Sequence, residues 1–183
     1  MTPNQLAQAT GARIDRAQTF QPLIDAAAPD FEITTPQRMA AFLAQVGHES
    51  GGLHWLNEIW GPTPAQSRYE GRADLGNIEP GDGEKFKGHG LIQDTGRFNH
   101  AKTRDRLRAK FPDMDIPDFE IYPEKLAEPQ WATLSAMDFW QSHGLNELAD
   151  AGEFERITKK INGGLNGEKE RLALYAAAQA ALA

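Results

Sequence analysis

The chain has 183 residues, 40% of them hydrophobic, and a formal net charge of −7 from 19 basic and 26 acidic side chains. That is enough for one domain with a buried core, and the acidic balance argues against a nucleic-acid-binding surface. The absence of cysteine excludes a disulfide framework and a thiolate nucleophile or ligand.

The N-terminus, Met1-Thr2-Pro3-Asn4-Gln5, lacks the basic start and apolar stretch of a signal peptide. No apolar run approaches the roughly 20 residues that span a bilayer. Thr2-Pro3 can cap and open a short helix, and Thr35-Pro36 does the same for a longer one. In the second, Met39, Phe42, Leu43 and Val46 fall at helical spacing on one apolar stripe. Glu49 follows at the end of that stripe, just before Gly51-Gly52 stops the helix. An acid placed there is expected to be shielded, and desolvation disfavours the charged form of a carboxyl group.

Residues 61–90 are dense in turn formers: Gly61-Pro62, Pro80-Gly81-Asp82-Gly83 and Gly88-His89-Gly90. They predict a small turn-rich lobe over about 60–95, with a short hairpin near Phe86 to Ile92. A helix is expected over Arg97 to Lys110, with Lys102, Arg104, Arg106, Arg108 and Lys110 on a solvated face. Pro129 opens a helix to about Ser142. Its apolar residues Trp131, Leu134, Met137, Phe139 and Trp140 cover most of the circumference, which marks a central, buried element. Phe154, Ile157 and Ile161 outline a helix that stops at Asn162-Gly163-Gly164, and a last helix starts near Glu168. Alternating strand patterns are scarce. The prediction is a mainly α fold forming one domain over 1–183.

Three constellations bear on chemistry. Glu49 and Glu58 lie nine positions apart, one ending a helix and the other on the returning segment. Two such carboxyls are the minimum for glycoside hydrolysis: one protonates the leaving oxygen, and the other activates water or attacks directly. The plainer alternative is a helix-end acid beside an unrelated surface acid. Ser50-Gly51-Gly52 leaves room for a substrate to approach. In the second, Gln93, Thr95 and Asn99 follow Gly88-His89-Gly90 and supply neutral hydrogen-bonding groups suited to sugars. The same residues also read as a hairpin turn with Thr95 capping the next helix. The third joins Ile161-Asn162-Gly163-Gly164 with Arg171 and Tyr175; alone it reads as a helix C-cap followed by a new helix. His48-Glu49 with His54 does not match H-E-x-x-H, because the second histidine comes six residues after the first instead of four. No metal and no cofactor are expected. There is no G-x-S-x-G elbow and no P-loop.

Four ordered motifs carry a family likeness: His48-Glu49-Ser50-Gly51-Gly52, Gly88-His89-Gly90-Leu91-Ile92-Gln93-Asp94-Thr95, Phe139-Trp140 with Gly144-Leu145-Asn146, and Ile161-Asn162-Gly163-Gly164. Together they resemble the catalytic domain of glycoside hydrolase family 19, the chitinase family, and more closely its short phage and prophage endolysins. The likeness covers roughly residues 30 to 180. It implies a lysozyme-like, two-lobed helical fold and inverting, metal-free hydrolysis. By the same resemblance Glu49 is the general acid, Glu58 the general base, and Thr95 helps to hold the attacking water. Gln93, Asn99, Asn162 and Arg171 match positions that line the sugar cleft or support the carboxylates, and His48 and His89 are expected to bind substrate with them. The family usually has Gly-Arg-Gly where this chain has Gly88-His89-Gly90, so a constant cation is replaced by a titratable side chain. Asp94 stands where an apolar residue is common. The loop between Glu58 and Gly88 is short beside plant-type chitinases.

These readings predict a hydrolase of the β-1,4 bonds between N-acetylhexosamines, with peptidoglycan glycan strands preferred over chitin. The expected protein is a monomer with no membrane span and no nucleic-acid partner. It is expected to stay in the cytoplasm of an infected or lysogenic bacterium until released to the cell wall. The alternatives are a chitinase, a catalytically silent glycan-binding protein of the same fold, and a zinc peptidase acting on the peptide stems.

Overall fold

The computed structural model describes all 183 residues, Met1–Ala183, and is mainly helical. Helix α1 (Pro3–Thr10) opens on a capping box in which the Thr2 hydroxyl accepts from the Gln5 backbone and the Gln5 side chain returns to the Thr2 backbone. Helix α2 (Ile14–Ala27) went unassigned in the sequence because Pro22 lies inside it. It forms because Ala17, Phe20, Ile24 and Ala27 make one buried stripe, whose burial outweighs the donor that proline lacks.

Helix α3 (Pro36–Glu49) begins where expected, with the Thr35 hydroxyl accepting from the Arg38 backbone N–H at 3.2 Å. Every residue from Ala40 to Gly47 is buried, so α3 is an axial helix and not a one-faced one. It packs against α1, α8 (Leu145–Asp150) and α10 (Glu168–Leu182). Helix α7 (Pro129–Ser142) is buried almost all round, as its composition predicted, and packs against α2 and α6 (Arg97–Lys110). Helix α9 (Phe154–Asn162) ends on Gly163 in the left-handed conformation. The Phe139-Trp140 and Leu145-Asn146 motif is structural. Trp140 meets Phe42 edge-on at 5.5 Å and donates to Asn146 Oδ1 at 2.9 Å, and Asn146 donates to the Phe31 carbonyl at 2.9 Å.

The small lobe contains only two single-turn helices, α4 (Pro64–Ser67) and α5 (Asp82–Lys85), and a 3-10 turn at Ala73–Leu75. The expected hairpin reduces to isolated bridges, Asn57 to His89 and His89 to Asp94. The four residues between His89 and Asp94 leave room for a tight turn but no ladder. Phe86 is fully buried yet lies outside the main core cluster of 33 residues. It sits under the Arg97 guanidinium (4.7 Å) and against the His100 ring (5.3 Å). Arg97 in turn pairs with the buried Asp82 at 2.5 Å.

Two expectations change here. The basic run on α6 is not a simple solvated face. Arg104 pairs with Asp105, Asp118 and Glu120, Arg106 pairs with the buried Asp138, and Arg108 and Lys110 donate to the carbonyls of Ile116 and Asp30. Apart from the neighbouring Asp105, these acids lie on other segments, so charge spacing along the helix could not show them. Thr95 does not cap α6 either; Gly96 occupies the N-cap without a side-chain bond.

The end of α3 that carries Glu49 is set by close backbone approach. A Cβ on Gly47 would meet Thr10 Cα and O at 2.8 Å, and one on Gly52, where φ is +69°, would meet Gly11 O at 2.8 Å. Gly47→Ala is expected to destabilise the fold by about 1–3 kcal/mol through overpacking. Urea denaturation, read by circular dichroism, measures the difference.

Candidate active site

Glu49 projects from the last turn of α3, one helical turn beyond Gln45, so the two share a face. Arg171, on the first turn of α10, spans both. Its Nη1 donates to Gln45 Oε1 and its Nη2 to Glu49 Oε1, each at 2.5 Å, while Nε donates to the Asn166 carbonyl at 3.1 Å. Gln45 passes the network on, donating to Thr158 Oγ1 at 2.8 Å. The Arg171 side chain is only 1% exposed and that of Glu49 17%. Glu49 is thus shielded, as its position predicted, but with a guanidinium as its companion. Sequence reading missed Gln45 and Thr158. The available signal was a glutamine four residues before an acid in an otherwise apolar run.

The chain then reverses through Gly51, Gly52 and Leu53, all in the left-handed region (φ +57°, +69° and +60°). The Ser50 hydroxyl accepts from the Leu53 N–H at 2.9 Å, and the Ser50 carbonyl accepts from His54 and Trp55. This brings Glu58 back against the small lobe, where its N–H donates to the Gly88 carbonyl at 2.8 Å. Gly88 N–H donates to Glu58 Oε2 at 3.0 Å, Gln66 Nε2 donates to Oε1 at 3.0 Å, and the Tyr69 hydroxyl lies 3.5 Å from Oε1. Tyr69 is pushed above its usual range by burial and by the Glu58 charge. Neither Gln66 nor Tyr69 was singled out from the sequence, because the turn between them and Glu58 has no periodicity to align them.

Glu58 lines a groove of about 690 Å³, together with His54, Trp55, Leu56, Asn57, Ile59, Lys87, His89, Glu124 and Ala127. Trp55 and Ile59 are 48% and 69% exposed. Glu49 is not part of this lining.

The remaining predicted site residues divide. Thr95 donates its hydroxyl to the Gln93 carbonyl at 3.0 Å, which leaves its lone pairs free. Asn99 donates to the Thr95 carbonyl at 2.7 Å. Gln93, at φ +59°, donates to the carbonyls of Trp55 (3.2 Å) and Gly90 (2.8 Å), so its amide holds the loop. Asn162 accepts from Asn166 at 3.0 Å, beside the segment that binds Arg171 Nε. His48 does not line the groove: its ring lies against Gly167, and its Nδ1 is 3.2 Å from Glu170 without a hydrogen bond. Arg171 is sealed behind Glu49 and supports the acid without reaching a ligand. His89 is the one histidine of the motif that meets the groove. Burial, with His100 and Lys87 nearby, lowers its pKa to about 3, so it is not the titratable cation that its position suggested.

A mainly helical fold with an acid-bearing groove is consistent with the glycoside hydrolases of the chitinase and lysozyme type. The comparisons with known proteins narrow the class. Over 168 residues the chain is 34% identical to a glycosyl hydrolase family 19 domain-containing protein of Haemophilus influenzae, covering 76% of this chain and 78% of that protein. Over 134 residues it is 32% identical to an endochitinase of Arabidopsis thaliana, covering 73% of this chain and 42% of that enzyme. No family model matches the chain. The chain belongs to glycosyl hydrolase family 19.

Arg171→Met is expected to cost about 3 kcal/mol, because it strands Gln45 and Glu49 in a shielded place; urea midpoints check this. A second expectation concerns pH. An unfolded histidine titrates near 6.5 and folded His89 at about 3, so between these values the unfolded chain takes up a proton that the folded chain refuses. The resulting stability is whole above pH 6.5 and drains away as pH falls toward 3. Urea midpoints measured across that window should fall less in His89→Gln than in the parent.

Proposed function

We propose that the protein is a peptidoglycan hydrolase of the endolysin type, cleaving β-1,4 bonds between N-acetylhexosamines with inversion. The observation that carries the reading is the pair of differently held acids. Glu58 lies at the groove with donors on both oxygens, and Glu49, nine residues earlier, is shielded and gripped by Arg171.

Glu49 delivers a proton to the glycosidic oxygen, and Arg171 stabilises the carboxylate left behind. Glu58, oriented by Gln66 and the Gly88 N–H, takes a proton from the attacking water. Thr95, whose hydroxyl proton is committed to the Gln93 carbonyl, offers that water an acceptor. Attack from the face opposite the leaving group inverts the anomeric carbon, which asks for carboxyls about 6.5–9.5 Å apart with room for the water. Exposed Trp55 offers an apolar ring face to a sugar.

Peptidoglycan is preferred because the small lobe is spare. Between Glu58 and Gly88 it holds two four-residue helices and one three-residue turn, which leaves the groove open to strands bearing peptides. The absence of cysteine suits a reducing cytoplasm before release to the wall. Chitin is the second reading, favoured by the likeness to the plant endochitinase.

Mass spectrometry of products from purified sacculi, beside a chitin hexamer, separates the two. Disaccharide muropeptides released faster than chitin fragments support the proposal; cleavage of chitin alone overturns it. Glu49→Gln keeps an acceptor for Arg171 and loses the proton, so turnover should drop at least about 100-fold with little change in the melting temperature. A Glu49→Gln protein that still clears permeabilised cells would refute the assignment. Proton NMR of fresh products should show the α-anomer first.

A further inference from the structure

Behind the groove a chain of ring nitrogens begins at a backbone carbonyl. His100 Nδ1 is 2.9 Å from the Gly96 carbonyl, and His100 Nε2 is 3.0 Å from His89 Nδ1. A carbonyl oxygen only accepts, so His100 must carry its proton on Nδ1. The neutral ring then has a lone pair at Nε2, and His89 must fill the gap with a proton on its own Nδ1. This leaves His89 Nε2 bare. We propose that His89 presents this unprotonated Nε2 to the groove as a fixed hydrogen-bond acceptor that selects an N–H or O–H donor of the bound sugar and disfavours a carboxylate there. The ligand half of this inference rests on the glycan reading above.

Each other arrangement carries a penalty. Moving the His89 proton to Nε2 sets two lone pairs against each other at 3.0 Å. Moving the His100 proton as well sets a lone pair against the Gly96 carbonyl at 2.9 Å. Adding a further proton is opposed by burial, since His89 is 3% and His100 0% exposed. The charged and titratable groups around the pair do not reverse this. Lys87 and His100 hold the His89 ring toward neutrality, and burial outweighs the pull of Asp94 on His100. The Lys87 backbone favours a proton on His89, but burial outweighs it. Glu58 and Glu124 share the groove with Lys87 and His89. The hydrogen bond of the His89 ring runs through Nδ1, and the one sealed side-chain atom without a partner is His48 Nδ1, so His89 Nε2 is accessible at the groove that His89 lines.

The selection follows from what a neutral, immobile acceptor can do. It pairs with an acetamido N–H or a hydroxyl, and it leaves a substrate lacking that donor with an unpaired nitrogen. An acceptor built on a backbone carbonyl does not rotate or swap roles as a hydroxyl would.

The test has two arms on the full chain. Long-range nitrogen–proton NMR at pH 7 reads the tautomers, with His89→Gln and His100→Gln supplying assignments. Protons on Nδ1 of both rings support the proposal; a proton on His89 Nε2 overturns it. Kinetics on a chitin hexamer and on soluble glycan strands read the role. His89→Leu is expected to raise KM at least about tenfold with kcat within about threefold, and His89→Gln, which restores an acceptor, to recover most of it. An unchanged KM in a folded His89→Leu protein overturns the acceptor role. If the parent chain turns over neither polymer, the glycan reading fails and the ligand assignment falls with it, while the NMR arm still decides the tautomer.

Discussion

One buried guanidinium ties α10 to α3 at the turn that carries Glu49. Arg171 bonds three acceptors at once: the Gln45 amide, the Glu49 carboxylate and the Asn166 carbonyl. A cation sealed from water is costly unless its donors are met, and the acid is costly in the same place without the cation. Each therefore holds the other. The partners lie 126 and 122 residues apart in the chain, so the bridge also fixes the rotation of α10 against α3. That packing is further constrained at the other end of the Glu49 turn, where Gly47 and Gly52 let α1 approach to backbone distance.

Glu58 is held on a different principle. No regular element carries it. Its segment is clamped to the 88–94 turn by backbone bonds, and its oxygens are met by an amide, a backbone N–H and a phenol. The small lobe lacks a ladder or a long helix and depends on polar pins: Asp82 with Arg97, and Asn77 with the Tyr69 carbonyl and the Arg97 N–H. One acid sits on a rigid helix, and the other on an irregular, hydrogen-bonded segment. In the mechanism proposed above, that split suits a proton donor that stays shielded and a base that must share its site with water.

Much of the helical frame could be read directly. Helices α6, α7, α9 and α10 begin where Pro, Gly and apolar spacing place them, and Thr2 and Thr35 cap α1 and α3 as their chemistry requires. The failures share a cause. Pro22 hid α2, whose stripe of Ala17, Phe20, Ile24 and Ala27 forms a helix only when other helices cover it. Thr95 has the right residue type for a cap, yet the turn ahead of it directs its hydroxyl to Gln93. The arginines of α6 looked solvated because the acids that meet them, Asp118, Glu120 and Asp138, arrive from other segments.

The amino-acid order alone determined the helical class, the place of Glu49 at the end of a buried stripe, and the turn-rich lobe, because each depends on local spacing and backbone preference. Which groups meet across the fold was settled only by tertiary packing: Arg171 on Glu49, Gln66 and Tyr69 on Glu58, and His89 on His100. Those contacts set charge, proton placement and burial. They depend on distances in space, which residue spacing along a chain does not encode.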